Sequence, residues 1–460
     1  MNRKKFIRTI GILPIGLAAS KRSSNSDSGF IADSNIPRKE KNTPCNEDYW
    51  KHIAAEFERP NGFINFENGY FSHQPISTFK THIQAEETIN IQTSHFMRTA
   101  QNNAIENART EFAGFQGISP ENLAFTRNTT ESLNVVIMGY PWKEGDEVVL
   151  GNQDYGSMVE SFQQAKMRWN IKLNTAKIPL HPINNKEIID AYLSLITENT
   201  VMVHITHMIN LTGQTVPLKE IISAVKAKNK NILCVVDAAH SIAHLTFDLS
   251  DMQKAGADVV GGSLHKWLCN PIGVGFLYMS TPVIELFWTL LGDVSVPKSD
   301  IRKFEHQGTR PIHSLQTIPY AIKFHRNIGS QAKLNRLVYL KLLWLGDRDK
   351  LIRFAKSVNM DTNPQFIQHI SELNDLTQIT NTEVLTPIGI QDWGGAICTI
   401  SHKKMKPTAF AKVLMDDHRF FTVGIEHAVV NGIRITPHLS NSVADCLKLN
   451  EALFEVLSKN

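Results

Sequence analysis

The sequence predicts an α/β protein whose main sheet is largely parallel and buried on both faces. Short apolar runs recur at 123–126, 147–150, 201–205, 232–236, 259–262 and 274–278, and helix-length stretches at 130–138, 158–169, 218–228 and 249–255 fall between several of them. Apolar runs of strand length are buried on both sides, and strands separated by helices pair in parallel. Polar residues of chemical interest follow directly after these runs, at 128–130, Tyr155, 207–210, Asp237 and Lys266. In open α/β sheets ligands sit outside the carboxyl ends of the strands, so these positions can meet in one crevice although they are far apart in the chain. After Pro311 the pattern changes to long helical stretches at 315–328 and 331–345, then strand-like runs at 397–400 and 433–436. The expected organisation is a large domain at 48–314 and a smaller α+β domain at 315–460, with no internal repeat.

At 460 residues, with 42% hydrophobic and 20% charged content, the chain is long enough for both domains, and disorder throughout is excluded. Its formal charge of +4 arises at the start, where Arg3, Lys4, Lys5, Arg8, Lys21 and Arg22 stand with no acidic residue among them. Beyond residue 22 the 44 acidic residues slightly outnumber the basic ones, so nothing points to a nucleic-acid partner. Residues 1–20 have the charged and apolar regions of an export signal, and Arg3-Lys4-Lys5-Phe6-Ile7-Arg8 resembles a twin-arginine signal with Lys4 in place of the second arginine. The apolar stretch 9–19 is too short for a stable membrane span. A periplasmic or exported location is expected, the alternative being an uncleaved basic leader on a cytoplasmic protein. Residues 21–47 read as a flexible linker. Cys45, Cys234, Cys269, Cys398 and Cys446 form no Cys-x-x-Cys pair, which argues against a disulfide framework or a zinc cluster; no metal site is expected.

The string Phe125-Thr126-Arg127-Asn128-Thr129-Thr130-Glu131-Ser132 runs from a strand into a helix. Free N–H groups and the helix dipole make that turn an anion site, and an N-cap box using Thr and Glu is compatible with it. Val235-Val236-Asp237-Ala238-Ala239-His240 puts a carboxylate at the end of an apolar run. Ser263-Leu264-His265-Lys266 follows, with its lysine 29 positions after that aspartate, and then come Pro271, Gly273 and Gly275. A buried carboxylate paired with a lysine just past a second apolar run answers the two demands of pyridoxal 5'-phosphate. The amine forms a Schiff base with the cofactor aldehyde, and the carboxylate keeps the pyridine nitrogen protonated. The alternatives are a helix-capping aspartate and a solvated lysine.

Taken together these motifs resemble the class V aminotransferase family of pyridoxal phosphate enzymes, a fold type I group, over about residues 65–441. The resemblance implies Lys266 as the Schiff base lysine and catalytic base, with Asp237 on the ring nitrogen. It implies Thr129, Thr130, Ser263 and His265 around the phosphate, Tyr155 stacked on the ring, and Asn210 and His240 beside the ring oxygen. Thr309, in Gln307-Gly308-Thr309-Arg310-Pro311, would complete the phosphate site of a neighbouring subunit, which implies a homodimer. Arg434 would grip a substrate carboxylate with its planar fork, and Asn68 would line the substrate cleft. Packing is the alternative for Tyr155 and for His240; a surface turn explains the Asn-Gly string equally well, and without the resemblance the Gly-Thr-Arg-Pro string would be a turn.

The cofactor set serves transamination, epimerisation and lyase chemistry alike, on an amino acid or similar small molecule. Cysteine desulfurases need a mobile-loop cysteine shortly before the arginine, and 421–430 contains none. The overall look is nearest to the isopenicillin N epimerase-like branch, whose members are often assigned as aminotransferases. Aminotransferase is the expected activity, epimerase the alternative. A scaffold that has lost catalysis is a third reading, set against the retention of both Lys266 and Asp237.

Overall fold

The computed structural model describes residues 43–389 and 393–459; the expected export signal at 1–20 and the linker up to residue 42 lie outside the described residues. A two-residue strand, β1 (Ile64–Asn65), comes first. Then follow β2 (Leu123–Thr126), β3 (Glu147–Gly151), β4 (Lys172–Ala176), β5 (Thr200–Thr206), β6 (Leu233–Asp237), β7 (Val259–Ser263) and β8 (Gly275–Met279). These seven form one sheet in the order β2-β8-β7-β6-β5-β3-β4. Pairing is parallel from β7 across to β4, and β8 alone runs against its neighbours.

Both faces of this sheet are buried, because alternate residues feed separate cores. Val203, Cys234, Val236, Val260 and Phe276 pack on one side, and Met202, Val235, Val259 and Leu277 on the other. Helices Thr129–Gly139, Gly156–Trp169, Leu218–Lys228 and Leu249–Ala255 connect the strands where the sequence predicts them. β4 is the strand no apolar run announces. It closes the sheet edge and is half exposed, so its composition needs less apolar character. The long helices Ile76–Thr99 and Gln101–Gln116 were likewise unannounced, and the first buries only Thr78, Thr81, Ala85 and Phe96.

The C-terminal part adds β9 (Thr382–Val384), β10 (Cys398–His402), β11 (Phe420–Phe421), β12 (Val423–Glu426) and β13 (Asn431–Ile435). An antiparallel sheet in the order β12-β13-β10-β9 results. Helix Ser330–Leu345 joins the cores: Leu337 packs under the large sheet, while Val338 to Leu345 contribute to the core of the second. The N-terminal segment is stitched to this second sheet by β1 pairing with β11 and by a bridge between Glu67 and Thr436. The linker expected through residue 47 ends by residue 43. Cys45 is buried, the Pro44 carbonyl accepts from Arg336 at 2.8 Å, and Glu47 pairs with Arg336 at 2.6 Å. Among the described residues no helix is long and apolar enough to cross a membrane.

Candidate active site

Helix Thr129–Gly139 begins just past the carboxyl end of β2, and its first turn faces a cavity of about 230 Å³. Asn128 caps it, accepting from the Glu131 N–H at 2.9 Å, while the Glu131 carboxylate accepts from the Arg127 N–H at 2.5 Å. The cap is therefore Asn128 and not a threonine, which leaves Thr129 and Thr130 for the cavity wall. Thr129 donates its N–H to Ser263 Oγ at 2.9 Å, and the two hydroxyls meet at 2.7 Å, so the end of β7 is tied to the helix start. Strand β8 can approach this turn because residue 275 is glycine: a Cβ there would lie 2.6 Å from Asn128 Cα.

Asp237 ends β6, is 3% exposed, and accepts from the Ala239 N–H at 2.9 Å. Burial raises its carboxyl above the ordinary range, against the pull of His204, the Ala239 N–H and Lys266. Lys266 stands in the turn after β7 with its Nζ 2.9 Å from His240 Nε2. Burial lowers the amine from 10.5 to about 8; Asp237 opposes the fall and Arg434 adds to it. Burial and then the Lys266 charge hold His240 well below its usual range, so its ring is neutral. Trp267 Nε1 donates to His240 Nδ1 at 3.4 Å. With its ring proton on Nε2, His240 can donate to the neutral form of the Lys266 amine. Trp267 is itself stacked on His244 with centroids 3.5 Å apart, and His244 is held by the His240 carbonyl and the Ala396 N–H, each at 2.8 Å.

Tyr155 caps helix Gly156–Trp169 at the cavity mouth and is 41% exposed. His265 also lines the cavity, lowered by burial to about 4. Arg434, on β13, reaches the cavity from the second sheet, but its fork is engaged. Nη2 and Nε donate to the two oxygens of Glu67 at 2.6 and 3.4 Å, and Nη1 donates to the Asn210 carbonyl at 2.9 Å. Both members of this ion pair are buried, at 8% and 7% side-chain exposure.

Of the residues singled out in the sequence, Thr129, Thr130, Tyr155, Asn210, Asp237, His240, Ser263, His265, Lys266 and Arg434 all line this one cavity. Asn68 and Thr309 do not. The Asn68 amide is spent on structure, donating to the Thr436 carbonyl at 2.9 Å and accepting from Asn65 at 3.0 Å, and its neighbours Gly69 to Phe71 face the cavity instead. Thr309 is exposed on the loop after Ile301–Glu305. Not legible in the sequence were Glu67, which pairs with Arg434, and His204, which lies on the sheet face that carries Asp237. A histidine inside an apolar strand run was the one signal for the latter. A larger cavity of about 630 Å³, between Phe247, Leu334, Phe354 and Trp393, contains none of the candidate residues.

The donor set fits pyridoxal 5'-phosphate. An amine, a buried carboxylate and a capped helix start share one cavity, and a buried wall atom, Asn210 Oδ1, has no partner among the described residues. Buried polar atoms of this kind call for a polar ligand.

Comparison with known proteins bears on the same region. A family model described as aminotransferase class-V matches residues 76–346. The isopenicillin N epimerase of Amycolatopsis lactamdurans is 27% identical over 240 residues, covering 48% of this chain and 59% of the relative. A probable cysteine desulfurase of Methanothermobacter thermautotrophicus is 32% identical over 179 residues, 39% of this chain and 42% of that one. The chain thus spans less than two thirds of these relatives' length. A solved cysteine desulfurase from Escherichia coli superposes with a TM-score of 0.69 over 89% of this chain and 99% of that one, at 16% identity, which speaks to the fold.

Proposed function

We propose that this chain, which belongs to the aminotransferase class-V family, is a pyridoxal 5'-phosphate enzyme acting at the α-carbon of an amino acid or a similar small molecule, as an aminotransferase. The observation that carries the reading is the Lys266 amine, lowered to about 8, in one cavity with Asp237 and the start of helix Thr129–Gly139. When bound, the cofactor supplies an aldehyde for the amine and an electron sink for charge left at the α-carbon. The protein's own part is to hold and to move protons. Thr129, Thr130, Ser263 and His265 would hold the phosphate, aided by the dipole of the helix. Asp237 would hold the proton of the ring nitrogen, with Asn210 and His240 at the ring oxygen and Tyr155 over its face. Lys266, neutral at its nitrogen, would take the α-proton as general base. Arg434 would bind the substrate carboxylate through whatever part of its fork Glu67 leaves open.

Tyr70 and Ile272 line the cavity yet are 76% and 68% exposed, and Thr309 is exposed as well. A second copy covering this mouth and lending Thr309 in trans is therefore part of the proposal. Epimerisation is the second reading, favoured by the similarity to an isopenicillin N epimerase. Desulfurase chemistry is disfavoured because all five cysteines are buried and none lines the cavity. Incubation of the loaded protein with amino acids in deuterated water separates these. Transfer of the amino group to a keto acid supports the first reading. α-Deuteration with loss of chirality and no keto acid replaces it with the second, and sulfide release from cysteine overturns both.

A further inference from the structure

His204 lies inside β5, fully buried, in a strand that is otherwise apolar up to Ile205. Its Nδ1 lies 2.9 Å from Asp154 Oδ2, and the other oxygen of Asp154 accepts from Thr206 Oγ at 2.7 Å. The Gly151 N–H also donates to Asp154 Oδ2, at 2.8 Å, so this carboxylate is locked at the end of β3. The parallel register of β5 and β6 sets Thr206 beside Asp237 and His204 beside Val235. His204, Thr206 and Asp237 therefore rise from the same face of the sheet. The His204 Nε2 is buried with no hydrogen-bond partner among the described residues.

We propose that His204 is a positioning residue, a buried imidazolium paired with Asp154 on the sheet face that carries Asp237, whose charge keeps the Asp237 carboxylate ionised. This rests on the reading of Asp237 as the partner of the cofactor ring nitrogen. Asp237 by itself is a poor anion, since burial raises its carboxyl, and the first influence opposing that is the charge of His204. Burial works to strip His204 of its proton in turn, yet the charge and hydrogen bond of Asp154, with Asp237 behind them, leave it raised. Phe162 packs edge-on against the ring at 5.6 Å from helix Gly156–Trp169, and Tyr192, another neighbour of Asp154, is held neutral by burial. Lys266 is the other side-chain cation sensed by Asp237, but its amine would be used in binding the cofactor, so of these two side chains His204 is the one whose charge would stay available to Asp237.

Two measurements test this. In apoprotein labelled with ¹⁵N-histidine, the His204 ring stays doubly protonated to higher pH than the rings of the exposed histidines, and Asp154→Asn abolishes that difference; a His204 ring that loses its second proton at or below the pH at which the exposed ones do overturns the proposal. In the pyridoxal 5'-phosphate-loaded protein, the pH midpoint of the visible band is compared with that of His204→Gln, which keeps a donor to Asp154 but no charge. Loss of the ring proton makes the lysine-linked nitrogen more basic, so the midpoint rises by about one pH unit or more. An unmoved midpoint in folded, loaded His204→Gln, or in Asp154→Asn where the first variant does not fold, refutes the coupling. If the unmodified protein takes up no cofactor, it is the proposed function that fails, and the ring resonances still decide the charge of His204.

Discussion

The state of the Lys266 amine can be tested without any cofactor. With its midpoint brought from 10.5 to about 8, about one amine in eleven is neutral at pH 7, roughly 300-fold more than for an ordinary lysine. Trace labelling of apoprotein with an amine reagent across pH 6–11, read by peptide mass spectrometry, should show Lys266 inflecting near 8 and well below 10.5. The same shift enters stability. Between about pH 8 and 10.5 the unfolded chain carries a proton at this position that the folded chain lacks, so stability rises with pH across that window. The gain is at most about 3 kcal/mol, because the amine keeps access to cavity water. Lys266→Met should lose this rise, which denaturant unfolding at pH 8 and pH 10 resolves. A Lys266 labelling midpoint near 10.5, or an unchanged pH dependence in the variant, would refute the argument.

Glu67→Gln leaves Arg434 a buried cation without its counter-charge, at a cost of about 3 kcal/mol in unfolding free energy. The same variant should bring the Lys266 labelling midpoint down, since Glu67 supports its protonation. Gly275→Ala forces a Cβ against the Asn128 backbone, and should destabilise the fold by about 1–3 kcal/mol while abolishing binding of the cofactor phosphate, read by thermal unfolding and equilibrium dialysis. Arg109→Ala removes the buried guanidinium paired with Glu305 at 2.6 Å, leaving that carboxylate to Arg310 and the Phe125 N–H, and should cost about 3 kcal/mol in denaturant unfolding without altering the labelling of Lys266.

Much of the large sheet was legible in the sequence because strands buried on both faces must be apolar throughout, and because ligand-facing residues follow them at one edge. Asp237 and Lys266 could be paired on those grounds alone. β4 and helix Ile76–Thr99 escaped notice because elements that bury little carry little apolar pattern. The engagement of Arg434 by Glu67 had no local signal, since the partners are 367 positions apart and meet only through the bridge between Glu67 and Thr436. His204 was hidden for a related reason. Within β5 it reads as a core histidine, and its meaning depends on which strands lie on either side. Asn68 misled in the opposite sense, since its Asn-Gly string reaches the cavity through the glycine while the amide is used to anchor the segment.

The most direct test of the account is to load the protein with pyridoxal 5'-phosphate, reduce it with borohydride and map the modified peptide. The account predicts a single pyridoxyl group on Lys266, and loss of the visible band in Lys266→Ala after the same reduction and dialysis. A group carried by another lysine, or a band that survives in Lys266→Ala, would contradict it.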